Sequence, residues 1–158
     1  MLDKSNPIGV MDSGIGGLTV VRELQRILPG EDIIYFGDSA NCPYGNKTAD
    51  QIFELSCHML QFLGSNGVKC TAVACNTIST MAERLRPCFD FRIISIVEEA
   101  AKYVIRAKLS SVGLIGTEFT VASGKYAELI HQGNPDCHVV GKGSRRSTTF
   151  APARRSAT

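Results

Sequence analysis

The chain has 158 residues, of which 44% are apolar and 20% charged, with a net charge of +2. That length supports a domain with a real core, and that balance belongs to an ordinary soluble globular protein. It excludes the basic signature of a nucleic-acid binder and the run of roughly 18 apolar residues that a membrane helix requires.

In chain order, short Val- and Ile-rich runs alternate with segments of helical period, which predicts an α/β fold with a mainly parallel sheet flanked by helices. The expected strands are Ile8 to Met11, Ile33 to Gly37, Cys70 to Ala74, Ile93 to Val97, Val112 to Gly116 and His138 to Val140. The first helix is expected over Thr19 to Leu28, with Val20, Leu24, Ile27 and Leu28 on one face and Pro29-Gly30 closing it. The second is capped by Thr48, has Gln51 at the capping-box position, and turns Ile52, Leu55, Met59, Phe62 and Leu63 inward. Further helices are expected over Ile78 to Arg86, Glu98 to Leu109 and Ser123 to His131. Residues 1–144 thus read as one α/β domain. From Arg145 to Thr158 the chain carries four arginines and no Leu, Ile, Val or Met. Such a segment buries too little apolar surface to offset its ordering entropy, which predicts a disordered basic tail. It reads as foreign to the domain, as a shifted reading frame or truncated gene would make it; an ordinary basic surface tail is the alternative.

Met1 to Ile8 has no apolar run of the kind a secretory signal needs, so a cytoplasmic location is expected. The six cysteines, at positions 42, 57, 70, 75, 88 and 137, lack the paired spacing of zinc or redox motifs. Reduced thiols and no metal site are the expectation.

Two segments carry chemistry. Asp12-Ser13-Gly14-Ile15-Gly16-Gly17 follows a strand and precedes a helix, at the carboxyl edge where open α/β sheets bind ligands. Gly14, Gly16 and Gly17 let backbone N–H groups approach a carboxylate, Ser13 adds a hydroxyl, and Asp12 can take a proton or bind an ammonium group. The spacing does not fit a nucleotide site: Thr19 stands where the third glycine of a dinucleotide fingerprint belongs, and no Lys-Ser or Lys-Thr follows. A tight turn alone accounts for the glycines but not for Asp12 and Ser13. Cys75 leaves the strand Cys70 to Ala74 and opens into Asn76-Thr77, again at the carboxyl edge. A thiol titrates near neutrality and can act as base or acid, and a helix start at Thr77 favours its thiolate. Buried cysteines are more often inert packing, which is how Cys70, on the opposite face of the same strand, is read. Cys57 and Cys88 are read as structural, Cys42 as a solvent-facing loop thiol, and His58, His131 and His138 as surface residues.

With Asp12-Ser13-Gly14, Pro43-Tyr44-Gly45 and Cys75-Asn76-Thr77 in this order, followed by Val112 to Thr117, Thr120-Val121 and Ser123 to Tyr126, the chain resembles the amino-terminal part of the glutamate racemases of the aspartate/glutamate racemase family. The resemblance covers Ile8 to Ser144. It implies cofactor-independent interconversion of L- and D-glutamate by two opposed cysteines, supplying D-glutamate for peptidoglycan and cell shape. Cys75 is then the first catalytic thiol, Asp12 supports its proton transfer, and Asp12, Ser13, Tyr44, Gly45, Asn76 and Thr77 bind substrate, with Thr117 and Thr120 joining them. The implied partners are glutamate and a second copy in a homodimer, with neither nucleic acid nor membrane. The family's second cysteine lies in a Gly-Cys-Thr-His segment, which these 158 residues lack. The chain alone is therefore expected to be weak or inactive, with an incomplete second domain. The alternatives are a non-catalytic amino-acid-binding fragment and a racemase for aspartate or a related small acid.

Overall fold

A computed structural model describes residues 4–144. The tail expected from Arg145 onward lies outside the described residues. Strands β1 (Ile8–Asp12), β2 (Ile33–Gly37), β3 (Cys70–Val73) and β4 (Arg92–Ser95) form a parallel sheet in the order β2-β1-β3-β4. Strands β5 (Ser111–Thr117) and β6 (His138–Ser144) pair in parallel as a second sheet. The α/β class and parallel pairing agree with the sequence reading, while the six strands divide between two sheets.

Position in the sheet explains composition. All five residues of β1 are buried because the strand is paired on both edges and covered on both faces. Met11, Ile52, Met59, Leu60, Leu63, Val73, Ile78 and Leu85 form the main core, and Ala101, Val104, Ile130 and Cys137 form a smaller one beside the second sheet.

The best-marked helix is α2 (Ala49–Ser65), where the capping box is present in full. Gln51 N–H donates to Thr48 Oγ1 at 3.3 Å, and Thr48 N–H donates to Gln51 Oε1 at 3.0 Å. Replacing Thr48 by Ala is expected to lower stability by about 1 kcal/mol, read as a reduced urea midpoint with an unchanged slope. The expected inward stripe holds for Ile52, Met59 and Leu63, but Phe62 is 45% exposed and meets Phe36 edge-on. Around α1 (Leu18–Ile27) the departure is larger: no residue of the helix is buried, and Ile27 is 55% exposed.

Elsewhere side-chain competition redraws the boundaries. The helix expected over Ile78 to Arg86 is α3 (Asn76–Ser79), α4 (Ala82–Leu85) and a 3-10 turn (Arg86–Cys88). Ser79 Oγ donates back to the Val73 carbonyl at the end of β3, and Thr80 Oγ1 donates to the Thr77 carbonyl, a local bond that competes with the helical ladder. α5 (Ile96–Arg106) begins two residues early, so Val97 belongs to it and not to β4, and Ser95 caps it by accepting from Glu98 N–H. The helix expected from Ser123 is preceded by a short α6 (Glu118–Ala122), and α7 (Lys125–Gly133) starts only after Gly124, whose φ of 67° lies in the left-handed region. β6 runs on to Ser144 because all seven of its residues pair with β5.

Candidate active site

The strand order fixes where a ligand can enter. β1 connects to β2 on one side and borders β3 on the other, so the chain reverses direction across the sheet between β1 and β3. In open parallel sheets the crevice beyond the carboxyl ends at such a reversal is where ligands bind. Asp12 ends β1 and Cys75 follows β3, and the two strand ends are held in register by Ala74 N–H donating to the Met11 carbonyl at 2.9 Å.

Ser13 Oγ and Cys75 Sγ lie 3.2 Å apart, joining residues 62 positions apart in sequence. Cys75 is 7% exposed. Its burial pushes the thiol above its ordinary value; the Ser13 hydroxyl and the backbone N–H groups of Ile78 and Ser13 pull it down, and the Asp12 carboxylate adds to the rise. The net direction is upward. The expectation that the helix start would leave the thiolate favoured is thus corrected: the N–H of Ile78 acts as expected, but desolvation is the larger effect. Iodoacetamide should label exposed Cys42 and Cys88 before Cys75 at pH 7.5. The rate at Cys75 should keep rising as pH passes above the ordinary thiol range, because only there does the thiolate accumulate. Peptide mapping by mass checks this, and equal labelling of Cys75 and Cys42 at neutral pH would contradict it.

Asp12 is 7% exposed, and its Oδ2 accepts from Gly17 N–H at 2.9 Å. The glycine turn therefore presents one fewer free N–H than its sequence suggests, and Asp12 is fixed rather than mobile. Gly14 is held from the other side, its carbonyl accepting from Tyr35 Oη at 2.7 Å. Burial, followed by the nearby Asp12 and Cys75, pushes the Tyr35 phenol up to about 12, so it remains a donor throughout the physiological range. Tyr35 had no motif to mark it. Its only signal was its position on β2, two residues before the strand ends.

On the far side of Cys75, Asn76 is exposed, and its Oδ1 accepts from Tyr126 Oη at 2.5 Å. Thr77 is buried and its Oγ1 lies 3.0 Å from Thr117 Oγ1 and 3.2 Å from Thr120 Oγ1, which are themselves 2.9 Å apart. This triangle of hydroxyls joins the end of β5 and the start of α6 to the first turn of α3. Gly45 packs on the same point, since a Cβ there would meet Thr117 Cβ at 2.8 Å. Tyr44 is 1% exposed and donates to Asp38 Oδ2 at 2.6 Å. Its hydroxyl thus braces the loop from Asp38, a role that residue spacing alone does not reveal. Cys42 is exposed, as expected of a loop thiol, and His58, His131 and His138 lie at the surface. Cys70 is half-buried at the start of β3.

The structure brings Asp12, Ser13, Cys75, Asn76 and Thr77 together at the carboxyl ends of β1 and β3, where the strand reversal places the crevice, with Thr117, Thr120 and Gly45 beside Thr77. Two concavities, of about 440 and 990 Å³, contain none of these residues. The first is lined by Arg86, Arg92 and Glu98 among others, the second by Phe53, Leu60 and Phe89 among others. Among the described residues no helix is long and apolar enough to cross a membrane, and no group of three His, Cys, Asp or Glu could hold a metal ion.

Residues 8–151 match the family model described as Asp/Glu/Hydantoin racemase. A glutamate racemase of Oceanobacillus iheyensis is 40% identical over 142 residues, covering 89% of this chain and 51% of that protein. The structure of glutamate racemase from Francisella tularensis, in complex with D-glutamate, superposes with a TM-score of 0.80 at 42% identity, covering 87% of this chain and 52% of that one. A glutamate racemase isoform from Bacillus anthracis superposes with a TM-score of 0.85 at 34% identity, over 89% and 54%. The chain spans about half the length of the curated relatives it matches.

Proposed function

We propose, from the premise that this chain belongs to the Asp/Glu/Hydantoin racemase family, that its crevice is one catalytic half of a cofactor-independent glutamate racemase. The observation that carries the reading is the buried Cys75 thiol, 3.2 Å from Ser13 Oγ at the strand reversal. The names of its relatives and the D-glutamate in the Francisella tularensis complex supply the substrate.

Cys75 acts as the base. Its thiolate takes the proton from the α-carbon of glutamate, the C–H electron pair passes into the adjacent carboxylate carbon system, and Cys75 becomes the thiol. Returning that proton to the same face regenerates the starting enantiomer; delivery of a proton to the opposite face gives the mirror image. Burial raises the Cys75 thiol and disfavours its thiolate, and the substrate ammonium beside Asp12 supplies a positive charge that favours it. Ser13 stabilises the thiolate by donating its hydroxyl. Asn76 and Thr77 hold substrate carboxylate, with Thr117 and Thr120 holding Thr77 in place. Tyr44 and Gly45 act through the loop they brace, Tyr44 on Asp38 and Gly45 against Thr117.

Inversion requires an acid on the second face, and the Gly-Cys-Thr-His segment expected to bring it is not in these 158 residues. Cys75 by itself serves one face of the α-carbon, and that half-reaction is what this chain can be tested for. Incubated with L- or D-glutamate in deuterated water, it should incorporate α-deuterium while optical rotation stays constant. Robust inversion would overturn the one-thiol reading, and binding without deuterium uptake would favour a non-catalytic binder. Faster exchange of aspartate than of glutamate would move the substrate to the shorter acid. In the cell we assign the racemase to the cytoplasm as a homodimer, supplying D-glutamate to peptidoglycan.

A further inference from the structure

Asn76 is the exposed member of the crevice, and an amide can face a ligand in two ways. With Nδ2 outward it offers two N–H donors; flipped, it offers a carbonyl oxygen that repels a carboxylate. Nothing in the local backbone decides between them. What distinguishes them is a phenol 50 residues further on: Tyr126 Oη donates to Asn76 Oδ1 at 2.5 Å. A phenol that donates to the oxygen leaves the Nδ2–H groups free for the crevice.

Tyr126 is well placed for this. It lies in the first turn of α7, directly after Lys125, whose ammonium pairs with Glu83 at 2.9 Å and with Glu128 at 2.8 Å. The Glu83 pair ties α7 to α4, on the same stretch of chain as Asn76. At its other end α7 buries Ile130 in the second core cluster. The phenol is half-buried, which raises its pKa and keeps the proton on the oxygen. The hydroxyl is therefore anchored and keeps its proton at neutral pH.

We infer that Tyr126 is a positioning residue, which locks the Asn76 amide with its Nδ2–H groups toward the crevice so that they receive a carboxylate of the bound amino acid. This rests on the glutamate reading above. It makes a residue on α7, in the second sheet's layer, responsible for ligand affinity at the end of β3.

Tyr126→Phe removes the hydroxyl and keeps the ring. In the full chain its expected effect is roughly tenfold weaker glutamate binding by calorimetry, the loss of one correctly presented polar contact. In an Asn76→Ala background the same change should have no further effect, whereas a merely structural role for Tyr126 would add its loss in both backgrounds. Unaltered affinity in Tyr126→Phe, or an equal additional loss in the Asn76→Ala background, would overturn the inference. If the unaltered chain binds no glutamate, it is the substrate reading that fails. The side-chain amide of Asn76, followed by ¹⁵N NMR in the free chain, then decides the positioning role. Restricted fast motion of the Nδ2–H₂ group, lost in Tyr126→Phe, sustains the lock, and an order parameter unchanged in Tyr126→Phe overturns it.

Discussion

Replacing Cys75 by Ser should abolish α-deuterium uptake from glutamate, lowering the rate by at least about 100-fold, while leaving the fold intact. The two halves of that expectation have separate physical grounds. A serine hydroxyl is too weakly acidic to supply an alkoxide at neutral pH, so the base is lost. Its oxygen is nevertheless smaller than sulfur and can keep a hydrogen bond to Ser13, which lies 3.2 Å from the thiol. Unfolding free energy should therefore change by no more than about 1 kcal/mol. Ser13→Ala offers the graded comparison: it removes the donor that favours the thiolate, so it should slow exchange by less and shift its pH dependence upward. Persistence of uptake in Cys75→Ser would show that another group removes the proton and would end the proposed role of Cys75. Loss of uptake together with a collapsed unfolding transition would show instead that the thiol is a packing residue, the bland reading that its burial alone allows.

The sequence was most legible where one local rule decides the outcome. The capping box at Thr48 and Gln51, the strand at Ile33–Gly37 and the placement of Asp12 and Cys75 at strand ends all follow from short-range pattern, and the structure has each of them. Legibility failed where a distant partner decides. Ile78 to Arg86 has a helical period, but Ser79 and Thr80 turn their hydroxyls back on carbonyls, and Ser95 Oγ reaches the Ser79 carbonyl from the next strand. The apolar residues of α1 read as one face of a helix, yet burial depends on what lies opposite, which periodicity does not contain. The same holds at the crevice. The motif residues are consecutive and visible, whereas Tyr35, which holds Gly14, has no motif of its own, and Asp38 and Tyr126, though they lie in matched segments, meet Tyr44 and Asn76 in bonds that chain order does not reveal. The direction of the Cys75 shift was also out of reach, because a favourable N–H is visible in the chain order and desolvation is not.

Gly37→Ala should be the most damaging of the small substitutions, although Gly37 touches no ligand. A Cβ on this residue would lie 2.3 Å from the Gly14 carbonyl oxygen and 3.0 Å from both Cε1 and Oη of Tyr35. The nearest atom is backbone, and it is already held by the Tyr35 hydroxyl at 2.7 Å, so it cannot withdraw alone. Nor is Gly37 free to move, since it pairs with Asp12 and the next N–H, that of Asp38, donates to the Asp12 carbonyl at 2.9 Å. The strain must therefore pass into the turn from Asp12 to Gly17, carrying Ser13 away from Cys75. Overpacking of this kind destabilises by about 1–3 kcal/mol. The catalytic loss should be larger than that implies, because displacements of about 1 Å at a reacting centre cost on the order of 100-fold. Gly30→Ala is the control: a Cβ there meets nothing within 4 Å, so stability should stay within about 0.5 kcal/mol. Urea unfolding and α-deuterium uptake on the two variants together test the point. A Gly37→Ala chain as stable and active as the Gly30→Ala chain would mean that β2 and the glycine turn are not rigidly coupled, and that the crevice takes its geometry from β3 alone.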